Sequence, residues 1–120
     1  MNRRIKRLTK SFKYASKGLH HALMTQQNIW IHVAAGTIVL IFAIVLGFDS
    51  LRLAILLLTI AMVLILEMIN TVAETIVDLS SPEFSELGRI AKDVAAGAVL
   101  LAAFFSVVIA VLLFFPFLFQ

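Results

Sequence analysis

Residues 53–78 read LAILLLTIAMVLILEMINTVAETIVD, an apolar run that ends in four spaced polar residues. The uncharged part, Leu53 to Leu66, is 14 residues long. At about 1.5 Å per helical residue it reaches about 21 Å, short of the roughly 30 Å of hydrocarbon in a bilayer. A spanning helix must therefore continue through Glu67 and Asn70, and on toward Glu74. A carboxylate then sits within membrane depth, where ionisable groups are costly and mark ion pathways, proton relays or substrate sites. At about 100° per residue, Glu67, Asn70, Glu74 and Asp78 fall within an arc of about 80°, one face of one helix.

Working outward, two more spans flank this one. Residues 29–48 supply 20 residues that end at Gly47-Phe48-Asp49-Ser50, enough to cross. Ser80-Ser81-Pro82-Glu83 breaks the pattern, since proline marks a loop or a new helix start. A third span over 88–115 opens with Lys92 and Asp93 and carries Ala95, Ala96, Gly97 and Ala98, small enough for a neighbouring helix to approach. Phe114, Phe115, Phe117 and Phe119 around Pro116 suit an interfacial exit. Before the spans, residues 5 to about 27 predict an amphipathic helix. Ile5, Leu8, Phe12, Ala15, Leu19 and Ala22 recur every three or four residues, with Arg3, Arg7, Lys10, Lys13 and Lys17 on the other side. Such a helix lies in the membrane interface with its basic face toward phosphates. No repeat and no linker divides the chain. The expectation is one all-α membrane domain over residues 1–120, with three transmembrane helices and an N-terminal surface helix.

Composition agrees. The chain is 62% hydrophobic and 14% charged, so the bilayer rather than water is its solvent. It has no cysteine, which excludes disulfides and thiolate chemistry. The net charge of +3 could suggest nucleic acid, but seven of the ten Lys/Arg residues fall in the first 17 positions, without an acid among them. A basic head before apolar spans faces the anionic cytoplasmic leaflet. With the N-terminus inside, nine Lys/Arg residues are cytoplasmic and Arg52 alone is outside, which predicts an N-in, C-out topology. No small-residue cleavage site follows the first apolar run, so a cleaved signal peptide is not expected.

That topology gathers the polar residues at the inner leaflet boundary. Glu67, Asn70, Glu74 and Asp78 climb toward it on span two, Lys92 and Asp93 open span three beside it, and the basic helix lies there too. A structural reading pairs these charges to fix helix register, Lys92 with Glu74. A functional reading fits phosphoryl transfer to a lipid hydroxyl. The deep carboxylate takes the hydroxyl proton, shallower carboxylates hold Mg²⁺, and lysine and arginine neutralise a triphosphate. The rival class is a small oligomeric ion or proton transporter, which leaves Asp78, Lys92 and the basic helix unexplained. His20, His21 and His32 have no metal-site spacing and predict interfacial hydrogen bonds or headgroup contacts. Trp30 reads as an interface anchor, and Asp49 and Arg52 as caps of the outer turn. The glycine-rich phosphate loop of soluble nucleotide-binding proteins is absent from the sequence.

Four stretches resemble the prokaryotic diacylglycerol kinase/undecaprenol kinase family. Glu67-Met-Ile-Asn70-Thr-Val-Ala-Glu74-Thr-Ile-Val-Asp78 resembles its E-x-x-N-[ST]-A-[IV]-E-x-x-V-D signature, and Ala91-Lys92-Asp93-Val-Ala-Ala-Gly-Ala-Val its A-K-D element. Ser81-Pro82-Glu83-Phe84 and Phe12-Lys13-Tyr14-Ala15-Ser16-Lys17-Gly18-Leu19 resemble its S-x-E-[YF] loop and its opening. The resemblance implies a homotrimer in the bacterial cell membrane that phosphorylates a lipid alcohol from ATP with Mg²⁺ at the cytoplasmic face. It implies Glu67 as general base, Asn70 as its support and Glu74 as metal ligand. Arg7, Tyr14, Asp78, Lys92 and Asp93 would contact ATP, with Glu83, Phe84 and Ser85 near the nucleotide. The N-terminal run, the Asn28–His32 stretch and Ala-Ala-Gly-Ala-Val resemble the Gram-positive branch, which implies undecaprenol as acceptor with diacylglycerol as alternative. One position departs. Gln26 stands where the family has a second metal-binding glutamate, a neutral oxygen in place of a carboxylate that Mg²⁺ favours. Retained but altered activity is the expectation there, against a non-catalytic scaffold.

Overall fold

The computed structural model describes residues 2–119. Four helices follow one another: α1 Arg3–Thr25, α2 Gln27–Leu46, α3 Ser50–Ser80 and α4 Glu86–Leu118, with no strand among the described residues. The last three are long and apolar enough to cross a membrane. Helix α3 is the middle element, packed against α2 on one side and α4 on the other, while α1 touches α2.

Local signals fix each junction. Asn2 caps α1, its side chain accepting from the Arg4 amide at 3.2 Å. The chain then leaves helical geometry for one residue, Gln26, before α2 begins. The Trp30 indole donates to the Leu23 carbonyl across that corner, satisfying one of the carbonyls that α1 leaves open at its end. Gly47, at φ 86°, ends α2. Its amide reaches the Ile44 carbonyl at 3.1 Å and the Phe48 amide reaches Ala43 at 3.0 Å, the left-handed cap that glycine adopts without strain. Asp49 caps α3 by accepting from the Arg52 amide at 3.1 Å, and Ser85 caps α4 by accepting from Gly88 at 3.3 Å.

The helices that contain the spans expected at 29–48, 53–78 and 88–115 run over 27–46, 50–80 and 86–118. The first stops early because Gly47 turns Phe48 back into the core. The last runs through Pro116, which near a helix end removes a single backbone bond. Phe114 and Phe117 hold that last turn against Phe48, with ring centroids 4.7 and 4.8 Å away. The tight core lies at this end, where Ala43, Phe48, Leu56 and Leu113 are buried together. Farther along, a Cβ on Gly36 would stand 2.8 Å from Ile60 Cγ2, so the glycine lets α2 lie close on α3.

Length positions the site. Helices α3 and α4 have 31 and 33 residues, about 46 and 50 Å at helical rise, against about 30 Å of hydrocarbon. Their other ends meet at the Phe48 core, and the Ser81–Ser85 loop joins them at the polar end.

Candidate active site

Two hollows occupy that end. The deeper one, about 230 Å³, lies where α2, α3 and α4 meet, lined by Asn28, His32, Glu67, Asn70, Ala96, Val99, Leu100 and Ala103. Glu67 is 5% exposed. A carboxylate so buried needs a partner, and His32 supplies one, with Nε2 3.2 Å from Oε1 of Glu67. Three residues along the same face, Asn70 donates through Nδ2 to Oε1 of Glu74 at 3.1 Å. Its Oδ1 is buried with no hydrogen-bond partner among the described residues. An orphaned acceptor costs about 1–3 kcal/mol, and a group carrying a hydroxyl or N–H relieves it. Alanines on the α4 wall leave the room.

The shallower cleft, about 310 Å³, opens at the polar end of α3 and α4 and holds Asp78, Glu83, Phe84, Ser85, Arg89, Lys92 and Asp93. Lys92 Nζ donates to Asp78 at 2.7 Å, and Arg89 donates to Asp93 at 2.6 Å and to Glu86. These pairs are exposed or half-exposed, where water and salt screen them, so they exchange partners at little cost. A phosphate can therefore displace a carboxylate from either cation. Three carboxylates, Asp78, Glu83 and Asp93, face two cations in the cleft, so a triphosphate needs further positive charge, from a divalent ion or from the basic face of α1. A Cβ on Gly88 would stand 2.9 Å from Val77 Cγ1, and the glycine thereby holds the two walls close.

The residues singled out from sequence divide accordingly. Glu67 and Asn70 share the deep cavity, and Asp78, Glu83, Phe84, Ser85, Lys92 and Asp93 share the cleft. Glu74, half-buried, lies on α3 between them. Arg7 and Tyr14 are exposed on α1 and line neither hollow, and Gln26 is the bend residue between α1 and α2. Two expectations are corrected. Lys92 pairs with Asp78 rather than Glu74, because Asp78 is at the end of α3 beside the start of α4. His32 turns inward to Glu67 instead of toward headgroups, because a buried carboxylate is the stronger attraction. Sequence reasoning also passed over Arg89 and Asn28 as lining residues. Arg89 was within reach, since it precedes Lys92 and Asp93 by three and four positions, the spacing that puts them side by side. Asn28 and His32 are four apart on α2, but no single-helix pattern gives the register of α2 against α3.

No three His, Asp or Glu side chains converge to hold a metal ion by themselves among the described residues. That donor set still fits Mg²⁺ carried by a nucleotide, an ion that keeps several waters and takes one or two carboxylates beside substrate phosphates. Glu74 is the carboxylate on the face between cavity and cleft.

Comparison with known proteins gives the same direction. Residues 13–114 match the family model described as prokaryotic diacylglycerol kinase. A diacylglycerol kinase of Synechocystis sp. is 44% identical over 107 residues, 88% of this chain and 61% of the relative, so the chain spans less than two thirds of that protein's length. An undecaprenol kinase of Bacillus subtilis is 36% identical over 93% of this chain and 91% of its own length. A diacylglycerol kinase of Escherichia coli is 29% identical over 85% of this chain and 84% of its own. With a family match across most of its length and a buried carboxylate on the helix that carries the signature, the chain belongs to the prokaryotic diacylglycerol kinase family.

Proposed function

We propose that the chain phosphorylates the hydroxyl of a membrane lipid from MgATP, with undecaprenol as its first acceptor. One observation carries this reading: a single face of α3 leads from buried Glu67, through Asn70 and Glu74, to Asp78 in the charged cleft. The acceptor hydroxyl enters the deep cavity from the apolar side, and its proton goes to Glu67. The hydroxyl oxygen attacks the γ-phosphorus as the bond to the bridging oxygen breaks, and ADP leaves. Asn70 supports the hydroxyl, and Arg7, Tyr14, Asp78, Glu83, Phe84, Ser85, Lys92 and Asp93 receive the nucleotide. Mg²⁺ would neutralise the phosphate oxygens, with Glu74 as its carboxylate and Gln26 as a weaker, neutral donor.

The chain works as a homotrimer in the bacterial cell membrane, N-in and C-out, with the site at the cytoplasmic face. The skewed distribution of Lys/Arg supports the orientation. Exposed Ala96, Gly97 and Ala98 on α4 support close approach by another copy, since a Cβ on Gly97 would meet nothing within 4 Å. The near full-length match to an undecaprenol kinase favours that acceptor, and the higher identity to a diacylglycerol kinase keeps diacylglycerol as the second reading.

The test is transfer of labelled phosphate from MgATP in bicelles, with undecaprenol and a diacylglycerol offered in parallel. The unmodified chain is expected to label one of them, and Glu67→Gln to lose about 10³-fold, as removal of a general base does. Full turnover by Glu67→Gln would remove the base from this reading. Absence of product with both lipids would return the chain to the transporter or scaffold class.

A further inference from the structure

The buried contact between His32 and Glu67 has no part in the chemistry above. His32 Nε2 lies 3.2 Å from Oε1 of Glu67, and the carboxylate has no side-chain hydrogen bond among the described residues. An ionised carboxylate has no proton to give, so the imidazole Nε2 edge meets Oε1 as a close polar contact and not as an aligned hydrogen bond. Oε2 is left without a partner, beside the cavity that also holds the unpartnered Asn70 Oδ1. We propose that His32 is a positioning residue for Glu67: it fixes one carboxylate oxygen so that the other faces the acceptor hydroxyl. This rests on Glu67 being the base.

A lone glutamate there would not hold its carboxylate in one place. Three rotatable bonds let the carboxylate swing, and each freedom lost only in the transition state slows the reaction. A partner on a different helix removes that swing before the lipid arrives. Helix α2 is suited to the task. Gly36, four residues after His32 and so on the same face, is buried against Ile60 of α3. Ile29, three residues before His32, is buried too. The imidazole therefore stands on a helix held close to α3 one turn further along, at Gly36. Its own side chain is 28% exposed while that of Glu67 is 7% exposed, so the glutamate is the deeper member of the pair. A misplacement of about 1 Å in a reacting group can cost about 10² in rate.

The experiment compares His32→Leu, which removes the polar contact, with His32→Gln, whose amide N–H can reach the same carboxylate. Both are measured for kcat and for KM of MgATP and lipid, beside Glu67→Gln. His32→Leu should lose about 10²-fold in kcat with KM for MgATP unchanged, and His32→Gln should recover most of that loss. Equal losses in both variants, or a loss confined to KM, would overturn the positioning role. So would full kcat in His32→Leu while Glu67→Gln is inactive. If Glu67→Gln itself kept full turnover, the base assignment would fail instead, and the two failures are thereby told apart. Should His32→Leu not fold, ¹⁵N-labelled imidazole in the unmodified chain decides. The Nε2 resonance should move on Glu67→Gln substitution, and an unmoved resonance would mean that the contact does not exist.

Discussion

The two ends of α3 are built on opposite rules. At its start everything is partnered. Asp49 caps the helix, Arg52 donates to the Leu113 carbonyl at 3.3 Å, and its guanidinium lies 5.3 Å from the Phe117 ring centre. Phe48 fills the space between. At the far end the same helix carries a buried carboxylate held by one histidine, an amide oxygen with no partner, and charges paired only in exposed, exchangeable contacts. A closed end fixes the bundle, and the open end leaves groups free for a hydroxyl and a polyphosphate. Sequences depart from local satisfaction where function requires it, and here the departure occupies one half of one helix.

The strongest break of this comparison is at Leu56, 2% exposed in the closed end. Leu56→Ala removes packing against Phe48 and Leu113. Lipid tails are as apolar as leucine, so the transfer part of the usual loss is small and the packing part remains. The expected cost is about 2 kcal/mol in reversible unfolding in mixed micelles, with KM for MgATP unchanged. A KM that rises with the loss of stability would mean that the two ends are coupled and that the division is wrong.

The sequence made this polarity legible to a specific depth. Fourteen uncharged residues, too few to cross, forced Glu67 into the membrane, and helical spacing aligned Asn70, Glu74 and Asp78 behind it. The Ser80–Glu83 break and the Gly47 turn were likewise read from residue chemistry. What periodicity does not hold is the register between helices. It therefore left His32 at the headgroups and paired Lys92 one turn too deep, with Glu74 instead of Asp78. Helix ends differ by two or three residues, most of them at caps that Gly47, Asp49 and Ser85 set locally. Phe48 and Phe117 interact across 69 positions, and that packing holds the last turn of α4.

A smaller effect tests the bend between α1 and α2. Gln26→Glu replaces a neutral oxygen with a charged one at the residue before α2. If Gln26 faces the metal, the Mg²⁺ concentration for half-maximal activity at fixed ATP should fall about tenfold, equivalent to roughly 1.4 kcal/mol. A carboxylate before the first turn of a helix also stabilises it by about 0.3–1 kcal/mol. A rise in unfolding stability alone is therefore the junction effect. An unchanged Mg²⁺ requirement would assign Gln26 to the corner and not to the site.

The finest test uses the two caps, which share one chemistry and stand at opposite ends. Asp49 caps α3 beside the core, and Ser85 caps α4 in the wall of the cleft. Each side chain accepts one backbone amide hydrogen, so Asp49→Ala and Ser85→Ala should each cost about 1 kcal/mol of stability. Arg52 keeps its bond to Leu113 in the first variant and loses only its exposed 3.7 Å pairing with Asp49, a contact worth little at a surface. Activity should separate them. Asp49→Ala should keep its KM for MgATP, whereas Ser85→Ala should raise it about threefold, because the freed Gly88 amide loosens the turn that carries Arg89 and Lys92. Equal KM values in the two variants would reduce Ser85 to a helix cap and shrink the nucleotide cleft to its charged walls.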